Sequence, residues 1–355
     1  MKIFLDNHHE ELTESLRILF EDRMGWEVYR PIGLEWYHEG YWHIYPALAT
    51  AEQYLGLHVG KALQQKWQED PSSIEHHRHF NPNVLENSDG IYDIGSVVYP
   101  NKRYLGITLE RFKSTPFDVI LSSIPSHARV FNELIQLYQP QAKHIFQVGN
   151  NWTYDFPVKN ILSSSKLAFD SLSTDKHAIF YHQEFSLQTF SFVDSFNPTS
   201  IYNMLHYMKD TDKFFEVEKR LPGWLCKCHG AGNREKSRGP SILDVANCFR
   251  EMGFLWHVKR EGDGYGYNVF HAAARGRPII TRCKHYQGMT AAPLLVHGET
   301  CLDLDQCNIV ETVQKLQEMA GNYSFHSQAI HDKFKQQVDF DEEAKQIKNF
   351  LENLQ

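Results

Sequence analysis

One stretch limits the folding choices of this chain more than any other: residues 263–280, DGYGYNVFHAAARGRPII. A glycine-rich turn, Gly264-Tyr265-Gly266, leads into a small-residue segment that contains Ala272-Ala273-Ala274. Gly276 then stands where a helix would stop, and Pro278-Ile279-Ile280 resumes as an apolar strand. The alanine face lets a helix pack tightly on a sheet, and glycine just past a helix end takes the left-handed conformation without penalty. Upstream, residues 253–259 (GFLWHVK) read as a strand ending in a cation. Strand, turn, helix, strand is the unit from which parallel α/β sheets are built. Glycines ahead of a helix let a ligand approach the backbone closely, and the unpaired N–H groups there attract anions. The turn therefore predicts a phosphate-bearing ligand.

The rest of the chain repeats the alternation. Lys2–Leu5 is a short apolar strand, and Leu12, Leu16, Leu19 and Phe20 give residues 11–23 a helical spacing. Val28-Tyr29 begins a second strand. An aromatic insertion covers residues 32–45, with a helix expected over 51–68. Residues 117–123 (FDVILSS) form a buried strand, 127–138 its helix and 144–148 the next strand. A second run starts near Leu187: a strand at 190–193, a helix at 200–209, and a strand at 224–228 that ends at Gly230-Ala231-Gly232. A helix follows at 242–252, then the signature stretch, then helices over 309–319, 326–338 and 342–354. This order implies parallel sheets with right-handed crossovers. At 355 residues the chain suits two cores of about 150–200 residues each. The boundary is expected near Glu184, giving domains over 1–185 and 186–340 and a last helix over 341–355.

With 42% hydrophobic and 13% aromatic residues the chain can bury such cores. A net charge of −8 argues against a general nucleic-acid coat or a binder of anionic membranes, while leaving room for a local basic groove. No apolar run is long enough to predict a membrane span. The start, MKIFLDNHHEE, turns acidic after one strand, unlike a secretory signal, so a cytoplasmic protein is expected. Cys226-Lys227-Cys228-His229 offers zinc-type ligands, but no second cysteine pair with suitable spacing follows, and reduced buried thiols fit better.

The order of parts around the signature resembles the donor-binding half of GT-B glycosyltransferases, in particular the retaining group related to glycogen synthase and sucrose synthase. The Gly-aromatic-Gly turn, the Ala-rich helix, Gly276, Pro278 and the later Gly298-Glu299-Thr300 fall where that group's pattern has them. The two acids of its Glu-x7-Glu motif correspond to Asp263 and His271, so the motif is degenerate. The resemblance implies an α/β protein with two Rossmann-like doubly wound parallel-sheet domains facing a cleft. It also implies a C-terminal helix that crosses back to the first domain, and a hexosyltransferase that uses a nucleotide-diphosphate sugar such as UDP-glucose, with retention and with no metal. Asp263 would orient the sugar, and Lys259 or Arg260 would meet the diphosphate charge. The Arg and Lys that the group usually carries after the first strand of the second domain are absent from Asp194-Ser195-Phe196-Asn197-Pro198. Arg282, Lys284 and the backbone N–H groups of residues 264–267 are the other available sources of positive potential.

Ligands of open parallel sheets bind beyond the carboxyl ends of the strands, which directs attention to the residues just after each strand. These are Asp6, His8 and His9; Ser122, Ser123 and His127; Asn150 and Asn151; and His229, Gly230 and Gly232. Asp263, His127 and His8 are the catalytic candidates. Gly230, Gly232, Lys259, Arg260, Gly264, Tyr265, Gly266, Tyr267 and His271 are the donor-site candidates. His9, Trp36, Asn150 and Asn151 are the acceptor-site candidates, Trp36 as part of the aromatic insertion. A neutral His271 has one donor and one acceptor nitrogen and cannot copy a bidentate carboxylate. The acceptor stays open between saccharide, lipid-linked sugar, small metabolite and a hydroxylated DNA base. Two other readings stand beside the transferase: a metal-dependent hydrolase built on Asp6, His8, His9 and the run His76-His77-Arg78-His79, and a GT-B-like binding protein without catalysis.

Overall fold

A computed structural model describes residues 1–6, 10–31, 84–88, 91–95, 99, 102–123, 125–151, 156, 158–193, 197–204, 211–230, 233–235 and 241–354. The aromatic insertion with Trp36, the expected helix over 51–68, the run 76–79, and His8, His9, Asp194, Ser195 and Gly232 lie outside the described residues.

The first sheet begins with β1 (Lys2–Leu5) at its centre. Ile3 and Leu5 face one layer and Phe4 the other, and all three are fully buried. Side chains alternate along a strand, so a run that is apolar throughout requires cover on both faces. Helix α1 (Glu10–Arg17), which continues in π-helical form over Ile18–Arg23, supplies one cover through Leu12, Leu16, Leu19 and Phe20. The other cover comes from α2 (Leu109–Ser114) and α3 (Pro125–Tyr138), through Leu109, Phe112, Phe131 and Leu134. The remaining strands are β2 (Glu27–Pro31), β3 (Val84–Ser88), β4 (Ile91–Gly95), β5 (Arg103–Ile107), β6 (Val119–Ser122), β7 (Lys143–Val148), β8 (Asn160–Ser163) and β9 (His177–Phe180). A short helix, α4 (Lys166–Asp170), links the last two. Their spatial order is β3-β4-β5-β2-β1-β6-β7-β8-β9.

The expectation of an all-parallel sheet is corrected at one edge. β4 runs antiparallel to both β3 and β5, while β2 to β5 and the rest are parallel. Asp89-Gly90 between β3 and β4 is a favoured hairpin dipeptide, a signal the strand-helix alternation masked.

The second sheet has the order β11-β10-β12-β13-β14, parallel throughout. Its strands are β10 (Ser200–Asn203), β11 (Leu225–Cys228), β12 (Phe254–Trp256), β13 (Ile279–Thr281) and β14 (Cys301–Asp303). Helices α5 (Thr211–Lys219) and α8 (Ile309–Gly321) cover one face. Helices α6 (Ile242–Glu251), α7 (Tyr267–Ala274) and α9 (Tyr323–Gln337) cover the other. Two expectations fail here. Residues 200–209 were expected to be a helix, but Ser200–Asn203 is an inner strand, buried at every position. Ile201 joins one core and Tyr202 the other, and a short run that is apolar on both faces has no periodicity to separate strand from helix. Residues 190–193 form no strand: Phe190 closes a turn and packs into the α6–α7 core instead.

The last helix, α10 (Phe340–Glu352), packs Ala344, Ile347 and Leu351 into the first sheet's α1 layer. Its Glu343 accepts from both the backbone N and Nδ1 of His182, each at 2.7 Å. Lys143 Nζ donates to the Leu351 carbonyl at 3.0 Å. All six cysteines are free thiols.

Candidate functional site

Each sheet reverses its winding at one place, between β1 and β6 in the first and between β10 and β12 in the second. Crevices for ligands open beyond the carboxyl ends of the strands at such points. The residues that follow these strands are where the polar groups gather.

In the second domain Gly266 caps α7 with φ 93°, and no side chain caps that helix end. The left-handed conformation explains the glycine, and the uncapped first turn keeps backbone N–H groups available for an anion. Gly276, at φ 72°, ends the helix as its sequence position predicts. Gly264 has a different reason. A Cβ there would lie 2.0 Å from the Gly149 carbonyl oxygen and 2.5 Å from Asn150 Cα, so the turn presses directly on the first domain's loop after β7.

Asp263 opens the turn and is held on several sides. His257, just past β12, bonds through Nε2 to Asp263 Oδ2 at 2.7 Å. Lys259 Nζ pairs with Oδ1, and the Tyr286 hydroxyl donates to Oδ2 at 3.3 Å. Burial by itself would raise this carboxyl. The His257 hydrogen bond and the charges of His257 and Lys259 outweigh it and hold the group below the usual carboxylate range. Asp263 is thus a fixed anion with a 14% exposed side chain. Arg260 is exposed one residue beyond Lys259. Arg282 and Lys284 both pair with Asp305.

The aromatic residues of the turn have structural contacts. Tyr265 stacks on Phe270 at 4.4 Å and donates to the Gln183 carbonyl at 2.9 Å. Tyr267 donates to the Glu11 carbonyl at 3.1 Å, across the domain boundary. His271 is buried, stacked on Phe190 at 3.8 Å between centroids and edge-on to Phe185 at 4.6 Å. Tyr267 and His271 line a cavity of about 430 Å³ between the domains. Its other walls include Glu14, Asp22 and Arg23 from the first domain, Glu184 and Phe190 from the linker, and Leu243 from α6. Burial pushes the Glu184 carboxyl up to about 7, against the pairing with Arg23. Its Oε1 is buried with no partner among the described residues.

In the first domain Asp6, after β1, accepts from Ser123 N at 2.6 Å and from Ser123 Oγ at 2.8 Å. It also bonds His127 Nδ1, in the first turn of α3, at 2.7 Å. Burial would raise this carboxyl too, but the His127 and Ser123 contacts bring it below its ordinary value. The carboxylate is therefore occupied by its own domain. No group of three or more His, Cys, Asp or Glu side chains placed to hold a metal occurs among the described residues.

The structure brings Asn150, Asn151, Gly264, Gly266 and Tyr267 together at the domain junction. Asn151 Nδ2 reaches Met289 Sδ at 3.4 Å, and Thr290 Oγ1 donates to the Ser164 carbonyl at 2.8 Å. Gly230, at φ 115°, lies in a separate tight loop after β11, where Asn233 N donates to its carbonyl at 3.0 Å. Sequence reasoning missed His257, Tyr286, Glu184 and Thr290. His257 had a usable signal, a polar residue just past the run Phe254-Leu255-Trp256; the others had none.

No protein-family profile and no curated protein matches the chain. Solved structures match it over its whole length. HepE of Anabaena, in complex with UDP and glucose, shares 10% identity with a TM-score of 0.58, covering 99% of each chain. A variant of S. aureus TarM bound to fondaparinux, α-GlcNAc-glycerol and UDP shares 10% identity, a TM-score of 0.58 and 99% of each chain. A glycosyltransferase from Rickettsia africae ESF-5 shares 10% identity, a TM-score of 0.55 and 99% of each chain. What these proteins have in common with this chain is the fold, the two-domain GT-B architecture of facing α/β sheets.

Proposed function

We propose that this protein is a glycosyltransferase that moves a hexose from a nucleotide-diphosphate donor to an acceptor hydroxyl. The observation that carries the reading is the uncapped N-terminus of α7 at the junction of a GT-B pair of domains, next to the fixed carboxylate of Asp263. Whole-length likeness to HepE, whose structures hold UDP and UDP-glucose, supports a uridine diphosphate sugar as donor. In this reading residues 186–340 bind the donor and residues 1–185 the acceptor, and the helix over 341–355 ties the two together.

The diphosphate lies on the N–H groups of residues 264–267, with Lys259 and Arg260 adding charge. The nucleoside occupies the cavity beside Tyr267 and His271. Its walls carry Glu14, Asp22 and Glu184 against Arg23 and Lys102, a balance that suits hydroxyls and a neutral base better than a polyanion. Gly230 and Gly232 are further candidates for the donor side. Asp263 orients the transferred sugar. His127 and His8 are the candidates for contact with the sugar or the acceptor hydroxyl, and His9, Trp36, Asn150 and Asn151 are the candidates for the acceptor side. The likeness of the turn to the retaining group supports transfer with retention.

The test is thermal stabilisation by UDP, GDP, ADP and their glucose conjugates, with Asp263→Ala as control. A selective shift for one nucleotide sugar that weakens in the variant supports the proposal, and no shift with any of them refutes it. A non-catalytic binding protein is the second reading. It is motivated by the commitment of Lys259 to Asp263 and of Arg282 and Lys284 to Asp305. Binding of the intact donor without its turnover would favour it.

A further inference from the structure

His257 is an expensive residue to keep where it stands. It follows the strand Phe254–Trp256, at the point where the second sheet reverses its winding, and is 2% exposed. Its Nε2 bonds Asp263 at 2.7 Å, while its Nδ1 is buried with no partner among the described residues. A buried ring nitrogen without a partner is destabilising, so its presence calls for a compensating role. An apolar side chain would continue the strand at no such cost.

The geometry around the carboxylate supplies the role. An ionised carboxylate offers about four lone-pair positions. His257 and Tyr286 both approach Oδ2, from the buried side of the turn. Lys259, whose side chain is 41% exposed, approaches Oδ1. Oδ2 is therefore the anchored oxygen and Oδ1 the one that faces outward, with one lone pair left for a hydroxyl donor. Without His257, only the longer Tyr286 contact would fix the plane of the carboxylate from behind.

We infer that His257 is a positioning residue: it holds Asp263 by Oδ2 so that Oδ1 is presented to a hydroxyl of the transferred sugar. This rests on the proposed donor site. It adds that affinity for the sugar, as distinct from the nucleotide, depends on a buried histidine that never touches the ligand. The titratable groups that face Asp263 are His257, Lys259 and Tyr286.

The experiment compares the affinities of UDP and UDP-glucose by calorimetry at neutral pH, in the wild type, Asp263→Ala, His257→Leu and His257→Gln. UDP alone reports the nucleotide site. The ratio of the two affinities reports the sugar contact. Expected is a ratio about tenfold smaller in Asp263→Ala and His257→Leu with UDP affinity kept, as fits loss of a hydrogen bond to a charged group. His257→Gln, whose amide can still donate to Oδ2, should recover most of the ratio. If His257→Leu does not fold, the His257→Gln ratio decides alone: a ratio as small as that of Asp263→Ala overturns the inference. An unchanged ratio in His257→Leu, or in Asp263→Ala, overturns the inference while leaving the nucleotide site standing. Absence of binding by UDP and by UDP-glucose in the wild type overturns the uridine donor and this inference with it.

Discussion

Replacing Gly264 by alanine tests whether the signature turn and the first domain meet as one working surface. The backbone at Gly264 is not in the left-handed region, so alanine brings no conformational strain there. The cost is steric and falls between domains. The new Cβ would sit 2.0 Å from the Gly149 carbonyl oxygen and 2.5 Å from Asn150 Cα, whereas ordinary contact begins at 3.4 Å. Both neighbours are backbone atoms, which cannot rotate away as a flexible side chain does. The two surfaces must separate by about 1.4 Å at that point, or the turn must deform. Overpacking of this kind costs about 1–3 kcal/mol. A misplacement of about 1 Å in a catalytic arrangement costs about a hundredfold in rate. Each domain keeps its own core, so both should stay folded. Gly264→Ala should therefore turn over UDP-glucose about a hundredfold more slowly and show a larger radius of gyration by small-angle scattering with donor bound. Wild-type turnover with an unchanged radius would refute the claim that the turn and the first domain meet as one working surface.

Three further outcomes follow from single contacts. Glu184 is raised to about 7 from 4.5, so the folded state holds its proton more tightly than the unfolded chain. Stability should then fall by about 3 kcal/mol as pH rises from 4.5 to 7 on this group's account, and Glu184→Gln should flatten that slope in urea titrations; equal slopes would contradict it. Leu351 is fully buried where α10 meets the first sheet, and Leu351→Ala should lower stability by about 2–5 kcal/mol, read as a shifted denaturation midpoint; a shift below 1 kcal/mol would place the helix outside the core. His271 is enclosed by Phe185, Phe190 and Phe249, so His271→Glu should melt several degrees lower without gaining affinity for UDP; a gain would mean the carboxylate reaches the cavity and binds there.

Much of the fold was legible because its signals are local. The runs at Lys2–Leu5, 117–123 and 253–256 are apolar on both faces, which only a doubly covered sheet satisfies. The same rule produced the error at Ser200–Asn203, where a buried strand of four residues looks like part of a helix. The edge hairpin of the first sheet was overlooked although Asp89-Gly90 marks it. In the candidate site the picture is mixed. Asp263 and Gly266 were identified from the turn itself. Tyr265 and Tyr267 were read as donor contacts, yet their hydroxyls bond Gln183 and Glu11. His271 was read as facing a ribose, and its ring lies among phenylalanines at the cavity wall.

The sequence by itself determined the α/β alternation and the glycine-capped helix. These depend on backbone freedom, capping and hydrophobic period within a few residues. Tertiary structure decided the rest. Glu184 meets an arginine 161 residues away. Gly264 is excluded from having a side chain by a loop in another domain. Asp263 Oδ2 is met by the Tyr286 hydroxyl from a helical turn 23 residues further on. Desolvation and close contact depend on which segments are brought together in space, and spacing along the chain does not encode that.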